Sequence, residues 1–160
     1  MHWVDELASE QARIEDSAAL EGKSEALAAV TVSSAMPGYW KSLVSELSIA
    51  VERLNENKNL RFFASLSDHS EPEFESRLRL QIVLQGYSPL PTYTDIFHLV
   101  GTATIRCNPL HGKPYQLLFG QRIDGTVGVY PAHGNPVIMS AERAAQYVVE
   151  PMVKMTRKGL

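Results

Sequence analysis

The spacing of apolar residues changes from helical to extended near residue 60, and this change constrains the fold more than any other feature. Between residues 40 and 54 apolar residues recur at i, i+3, i+4 and i+7, which is typical of an amphipathic helix. From residue 60 they recur at every second position, most clearly over 78–84, as in a strand with one buried face. Helices followed by alternating strands with short connections predict an α+β fold with an antiparallel sheet.

The expected layout is two N-terminal helices, about five to six strands and one C-terminal helix, with the helices packed mainly on one face of the sheet. The first helix is predicted over residues 3–33, as one helix or as two with a break near Gly22. The second follows the Ser34–Gly38 segment, where Pro37 suits a first turn. Ser140 is the expected N-cap of the last helix, which Pro151 should kink or split.

Residues 115–130 contain a hairpin whose register can be derived from the apolar pattern. A three-residue loop over 123–125, with Gly125 in the left-handed region, gathers the apolar residues on one face. A two-residue Asp124–Gly125 turn would scatter them over both faces. The favoured register aligns Leu117, Phe119 and Gln121 with Pro131, Val129 and Val127, respectively.

Length and composition predict one globular domain, residues 1–160, in the cytoplasm. The chain is 44% hydrophobic and 21% charged, as in ordinary folded proteins. Its one cysteine excludes an intramolecular disulfide and favours a reducing compartment. It lacks the run of about 18 apolar residues that a membrane span needs, and residues 1–6 do not resemble a secretory signal. The net charge of −3 argues against a nucleic-acid partner.

Charge is distributed unevenly and sets an acidic N-terminal helical segment, residues 1–36, apart from the helix, sheet and C-terminal helix of 37–160. The first segment has seven acids and two bases, or −5, and the second has 11 acids and 13 bases, or +2. One face of the first helix carries four apolar residues: Trp3, Leu7, Ile14 and Ala18. Burial of the three large ones is worth about 1.5–3 kcal/mol each. We therefore expect a homodimer through this helix, or else packing against the helix at 40–54 of the same chain.

Two His-Gly-x-Pro motifs, at 111–114 and 133–136, flank the hairpin. The favoured register places Tyr115 opposite His133, so both motifs are expected at one end of the sheet. The candidate ligand-binding residues at that end are His111, His133, Tyr115, Asn108 and Asn135. The alternative is that Gly and Pro mark two turns and the histidines are incidental. Since no further ligand lies at metal-binding spacing, neither a metal nor another cofactor is expected.

Two other sets of residues could form chemical sites. Cys107 and His111 form a Cys-x3-His pattern, but alternation places Cys107 on the apolar face, where it acts as a small hydrophobe. Arg77 and Arg79 share one side of a strand and could bind anions or single-stranded nucleic acid. A solvated face on which they pair with acids is the favoured interpretation; the neighbouring acids are Glu71, Glu73 and Glu75.

These patterns favour a non-enzymatic cytoplasmic domain that binds a partner protein or a second copy of itself. No catalytic residue is predicted, because the nucleophile-elbow, Walker and dinucleotide-binding motifs are absent from the sequence. The alternative function is a small ligand-binding domain or enzyme with a pocket at the His111/His133 end. Neither a nucleic acid nor a membrane is an expected partner.

Overall fold

The computed structural model describes residues 3–71, 74–84, 92–99 and 101–158. The elements follow in the order α1 (Trp3–Glu56), β1 (Phe62–Asp68), β2 (Glu75–Leu84), β3 (Thr92–Leu99), β4 (Thr104–Pro109), β5 (Tyr115–Gln121), β6 (Val127–Pro131) and α2 (Ala141–Lys158). The α+β prediction is confirmed.

The chain forms two compact units, residues 1–34 and 35–160. Both predicted N-terminal helical segments are helical, and both are parts of α1. The first unit ends at residue 34, two residues before the end of the acidic segment that the charge distribution defines. Pro37 lies inside α1 and Pro151 inside α2, so neither proline ends its helix. Each removes one backbone donor, but the turns beside each contain buried residues, among them Tyr39 and Met152, whose packing supports the helix.

The six strands form one antiparallel sheet in sequence order, β1 to β6. The predicted hairpin register is confirmed, with Leu117 paired to Pro131 and Phe119 to Val129. Gly125 has φ 90°, in the left-handed region that the three-residue loop requires. As in any β-sheet, successive residues of each strand lie on opposite faces.

One face of the sheet is the core. Its fully buried side chains include Leu80, Ile82, Ile96, Ile105, Leu117 and Val129. Two ring contacts show that both helices cover this face. Tyr39 of α1 packs edge-on against Phe119, with centroids 5.4 Å apart, and Tyr147 of α2 packs against Tyr115 at 5.7 Å. The face opposite the helices is called the open face below.

Each edge strand of the sheet has one residue that is paired by hydrogen bonds outside the sheet, which the sequence did not predict. At β1, the Asn55 amide donates to the Ala64 carbonyl at 2.9 Å and accepts from the Ala64 N–H at 2.6 Å. At β6, Val129 and Met139 exchange two backbone hydrogen bonds. A Cβ on Gly128 would lie 2.3 Å from the Met139 carbonyl oxygen, so this approach requires glycine. At these two positions the edge is not free to pair with another strand.

Within the described residues, neither helix carries an apolar stretch long enough to cross a membrane.

Replacing Leu80 with alanine should lower the free energy of unfolding by about 2–5 kcal/mol, because it leaves a cavity in a packed core. Leu80 is 0% exposed. Its neighbour Gln81 lies on the open face and is half-buried, so Gln81→Ala should change stability by less than about 1 kcal/mol. Urea denaturation of the two variants measures the difference, and equal losses would contradict the assignment of the two faces.

Candidate ligand-binding site

A cavity of about 440 Å³ lies on the open face, where β3, β4 and β5 run side by side. Phe97, Arg106 and Gln116 form one row across these strands, because Arg106 is the register partner of both other residues. The cavity is lined by Phe97, Arg106, Asn108, Pro114, Tyr115, Gln116, Ala132 and His133. A second depression of about 90 Å³ shares the row and extends toward Thr104. The row therefore forms a floor common to both.

Of the five predicted ligand-binding residues, Asn108, Tyr115 and His133 line the cavity of about 440 Å³, but the Tyr115 ring packs toward α2, and Tyr115 also lines the cavity that contains His111. His111 lines a different cavity, of about 140 Å³, between the sheet and α2. Asn135 is exposed and lines neither of these cavities. The histidines of the two His-Gly-x-Pro motifs thus line different cavities.

The predicted pair of Tyr115 with His133 does not form, because the β5–β6 ladder ends two residues earlier, at Leu117–Pro131, although its register is the predicted one. On the other side of β5, Tyr115 pairs with Cys107 of β4. A bend begins at Ala132, whose N–H donates to the Gln116 carbonyl, and Gly134 follows with φ 113°. This departure from the extended strand carries His133 over the cavity rather than along the ladder.

The Cys107 side chain serves the core, as the sequence predicts. It is fully buried, and burial raises the pKa of its thiol to about 12. Burial also raises the pKa of the Tyr115 hydroxyl far above its usual range, with the neighbouring Cys107 thiol as a further cause. A thiol with this pKa is not a nucleophile at neutral pH.

Next to the cavity, Asp95 forms ion pairs with two arginines of the open face. Its carboxylate accepts hydrogen bonds from Arg79, at 2.8 and 3.1 Å, and from Arg77 at 3.1 Å. The hydrogen bonds from Arg79 are the largest cause that lowers the pKa of Asp95, followed by the bond from Arg77. The Arg79 guanidinium also stacks 4.2 Å from the Tyr93 ring centre, a cation–π contact.

The predicted pairing of these arginines with acids is correct in kind, but the main partner is Asp95. Of the acids named from the sequence, Glu75 lies 4.0 Å from Arg77. Glu71 instead forms a backbone bridge with Glu75, and Glu73 lies outside the described residues. Asp95 is 7% exposed, and its position directly across the strand pair from Arg79 could not be derived without the β2–β3 register.

Arg106 differs from these two arginines because it is exposed and, among the described residues, has no acid or hydrogen-bond partner. The described residues that line its cavity include no Asp or Glu. The cavity therefore has a positive local charge next to an aromatic ring, Phe97. Arg106 was not among the residues predicted from the sequence. Its position between the buried residues Ile105 and Cys107 could have indicated that its side chain lies on the solvated face of the strand.

Residues 1–34 offer a different kind of surface. The described side chains of residues 4–13 are all exposed. Val4 and Leu7 are 49% and 56% exposed, and Val30 near the other end is 63% exposed. The predicted stripe also includes Trp3, Ile14 and Ala18, whose side chains lie outside the described residues.

Among the described residues, no three His, Cys, Asp or Glu side chains converge as a metal site would require. Comparisons of this chain with models of protein families, with curated proteins and with solved structures find no match.

Asp95→Asn should lower the free energy of unfolding by about 1–2 kcal/mol at neutral pH, since hydrogen bonds to a charged group stabilise by about this amount when the donating arginines are partly exposed to solvent. The pKa of Asp95 is lowered in the folded state. Its contribution is therefore complete above the unfolded pKa of about 4 and is lost as the pH falls through the folded pKa. Urea melts at several pH values should show the difference between wild type and variant shrinking on acidification.

The matched control is Glu71→Gln, which neutralises an exposed acid at the sheet margin. It should leave the acid dependence of stability as in the wild type. A constant difference between Asp95→Asn and wild type from neutral to strongly acidic pH would contradict the role assigned to this carboxylate.

Proposed function

We propose that this chain is a non-enzymatic cytoplasmic binding domain that associates with a second copy of itself through the helix of residues 3–34. The observation that carries the proposal is the exposure of the apolar side chains Val4 and Leu7, at the start of the predicted stripe, on a segment that forms a compact unit of its own. A single helix cannot bury its own apolar stripe, and isolated helices are marginal in water. A second helix from another copy supplies the missing surface.

The charge pattern of the segment selects an antiparallel pair. All seven acids lie between residues 5 and 25, whereas residues 26–36 carry no charge. A parallel pair would place every acid beside its own copy. An antiparallel pair centred near residue 18 places Asp5, Glu6 and Glu10 alongside the uncharged 26–36 of the partner, which reduces the repulsion. A two-fold axis perpendicular to the helices produces this arrangement.

Two further features support the binding role and its location. The one cysteine, Cys107, is a free buried thiol, which suits a reducing compartment such as the cytoplasm. Its raised pKa and full burial make it a packing residue rather than a catalytic one.

Light scattering coupled to size-exclusion chromatography should give a mass of twice 17.8 kDa at high micromolar concentration. Leu7→Glu should weaken the dimer at least about tenfold, because it places a charge in the apolar interface. The matched control is Ser9→Glu, which adds the same charge on the opposite side of the helix and should retain the dimer. A monomer at high micromolar wild-type protein, or equal weakening by both variants, would contradict the proposal.

The direction of pairing has its own test. Spin labels at residue 6 of both copies should lie roughly 35–40 Å apart in the antiparallel pair, because residue 6 lies opposite residue 31 at 1.5 Å of rise per residue. A parallel pair would bring the same labels to about 10 Å. Pulsed electron paramagnetic resonance measures this distance, and the short value would overturn the charge argument.

A further inference from the structure

We propose that the cavity around Arg106 binds a small organic anion with a planar ring. The carboxylate or phosphate of this ligand pairs with the Arg106 guanidinium, and the ring lies against Phe97. This inference concerns residues of the 35–160 unit alone, so it does not depend on self-association of residues 3–34.

The charge balance of the open face points to an anion. Arg77 and Arg79 are paired with Asp95. Arg106, in the middle of the same face, has no such partner among the described residues, and no acid is among the described residues that line its cavity. A guanidinium offers a planar fork of donors that matches a carboxylate or a phosphate in two-point pairing.

The neighbours of Arg106 favour an anion that carries a ring. Phe97 lies directly across β3–β4 from Arg106 and lines both depressions. Pro114 and Ala132 form part of the remaining wall beside the His133 imidazole, so the ring meets some apolar surface next to the charge. The volume of about 440 Å³ is within the range of small-molecule sites.

Amide side chains are placed to fix the orientation of the anion. Gln116 is the register partner of Arg106 on β5, and Asn108 is two residues further along β4 on the same face. Both are exposed and both line the cavity. Their N–H groups add donors next to the guanidinium, in the manner of sites that combine apolar walls with a few placed polar groups.

Isothermal titration calorimetry with four probes tests the proposal on the full chain. Benzoate and adenosine 5′-monophosphate carry a ring with a carboxylate or a phosphate, and benzamide and adenosine are their neutral counterparts. At least one anion should bind saturably below about 10 mM, and its neutral counterpart should bind at least about tenfold more weakly. Binding of benzoate alone identifies a carboxylate ligand, and binding of the nucleotide alone identifies a phosphate ligand.

Arg106→Gln should weaken the bound anion at least about tenfold, whereas Arg106→Lys, which keeps the charge without the fork, should weaken it less. The matched control Arg61→Gln removes an exposed positive charge from the loop before β1 and should leave the affinity unchanged. Arg106 is exposed, so circular dichroism should show native folding in its variants. The absence of saturable binding by both anions, equal binding by the neutral probes, or full affinity in folded Arg106→Gln would overturn the proposal.

Discussion

Burial of one apolar face of a six-stranded sheet is the constraint on which the rest of the unit 35–160 depends. Leu80, Ile96 and Leu117 are fully buried side chains of three different strands, and they need a cover. The helix that precedes the sheet in the chain and the helix that follows it supply this cover, through Tyr39 and Leu43 of α1 and through the apolar side of α2. Because an antiparallel sheet can leave its second face in water, that face is available for polar groups.

The open face then follows electrostatic rules rather than packing rules. The buried carboxylate of Asp95 is stable there because Arg77 and Arg79 donate to it. The same balance leaves Arg106 as a charge without an acid among the described residues, next to the ring of Phe97. The proposed functions are thus separate: the helix of residues 3–34 presents apolar side chains, and the sheet presents a positive cavity.

The sequence predicted the features that depend on periodicity and missed those that depend on pairing across long connections. The hairpin register was derivable, because an apolar alternation on both strands leaves one alignment that buries Phe119 with Val129. The Arg79–Asp95 pair was not, since it requires the β2–β3 register across a longer connection. The position of His133 was missed because the chain turns away from β6 after Pro131. Arg106 could not be assigned to a site from the sequence, because its neighbours Phe97 and Gln116 are known only from the register of β3, β4 and β5.

The central claim, that one sheet face is buried and the other is open to solvent, has a direct measurement. Gln116→Cys places a thiol on the exposed side of β5, while the native Cys107 on neighbouring β4 serves as a buried reference in the same molecule. Maleimide labelling followed by peptide mass analysis should show residue 116 reacting at least about a hundredfold faster than Cys107, whose reaction requires opening of the core. Comparable labelling rates in the native protein would contradict the account.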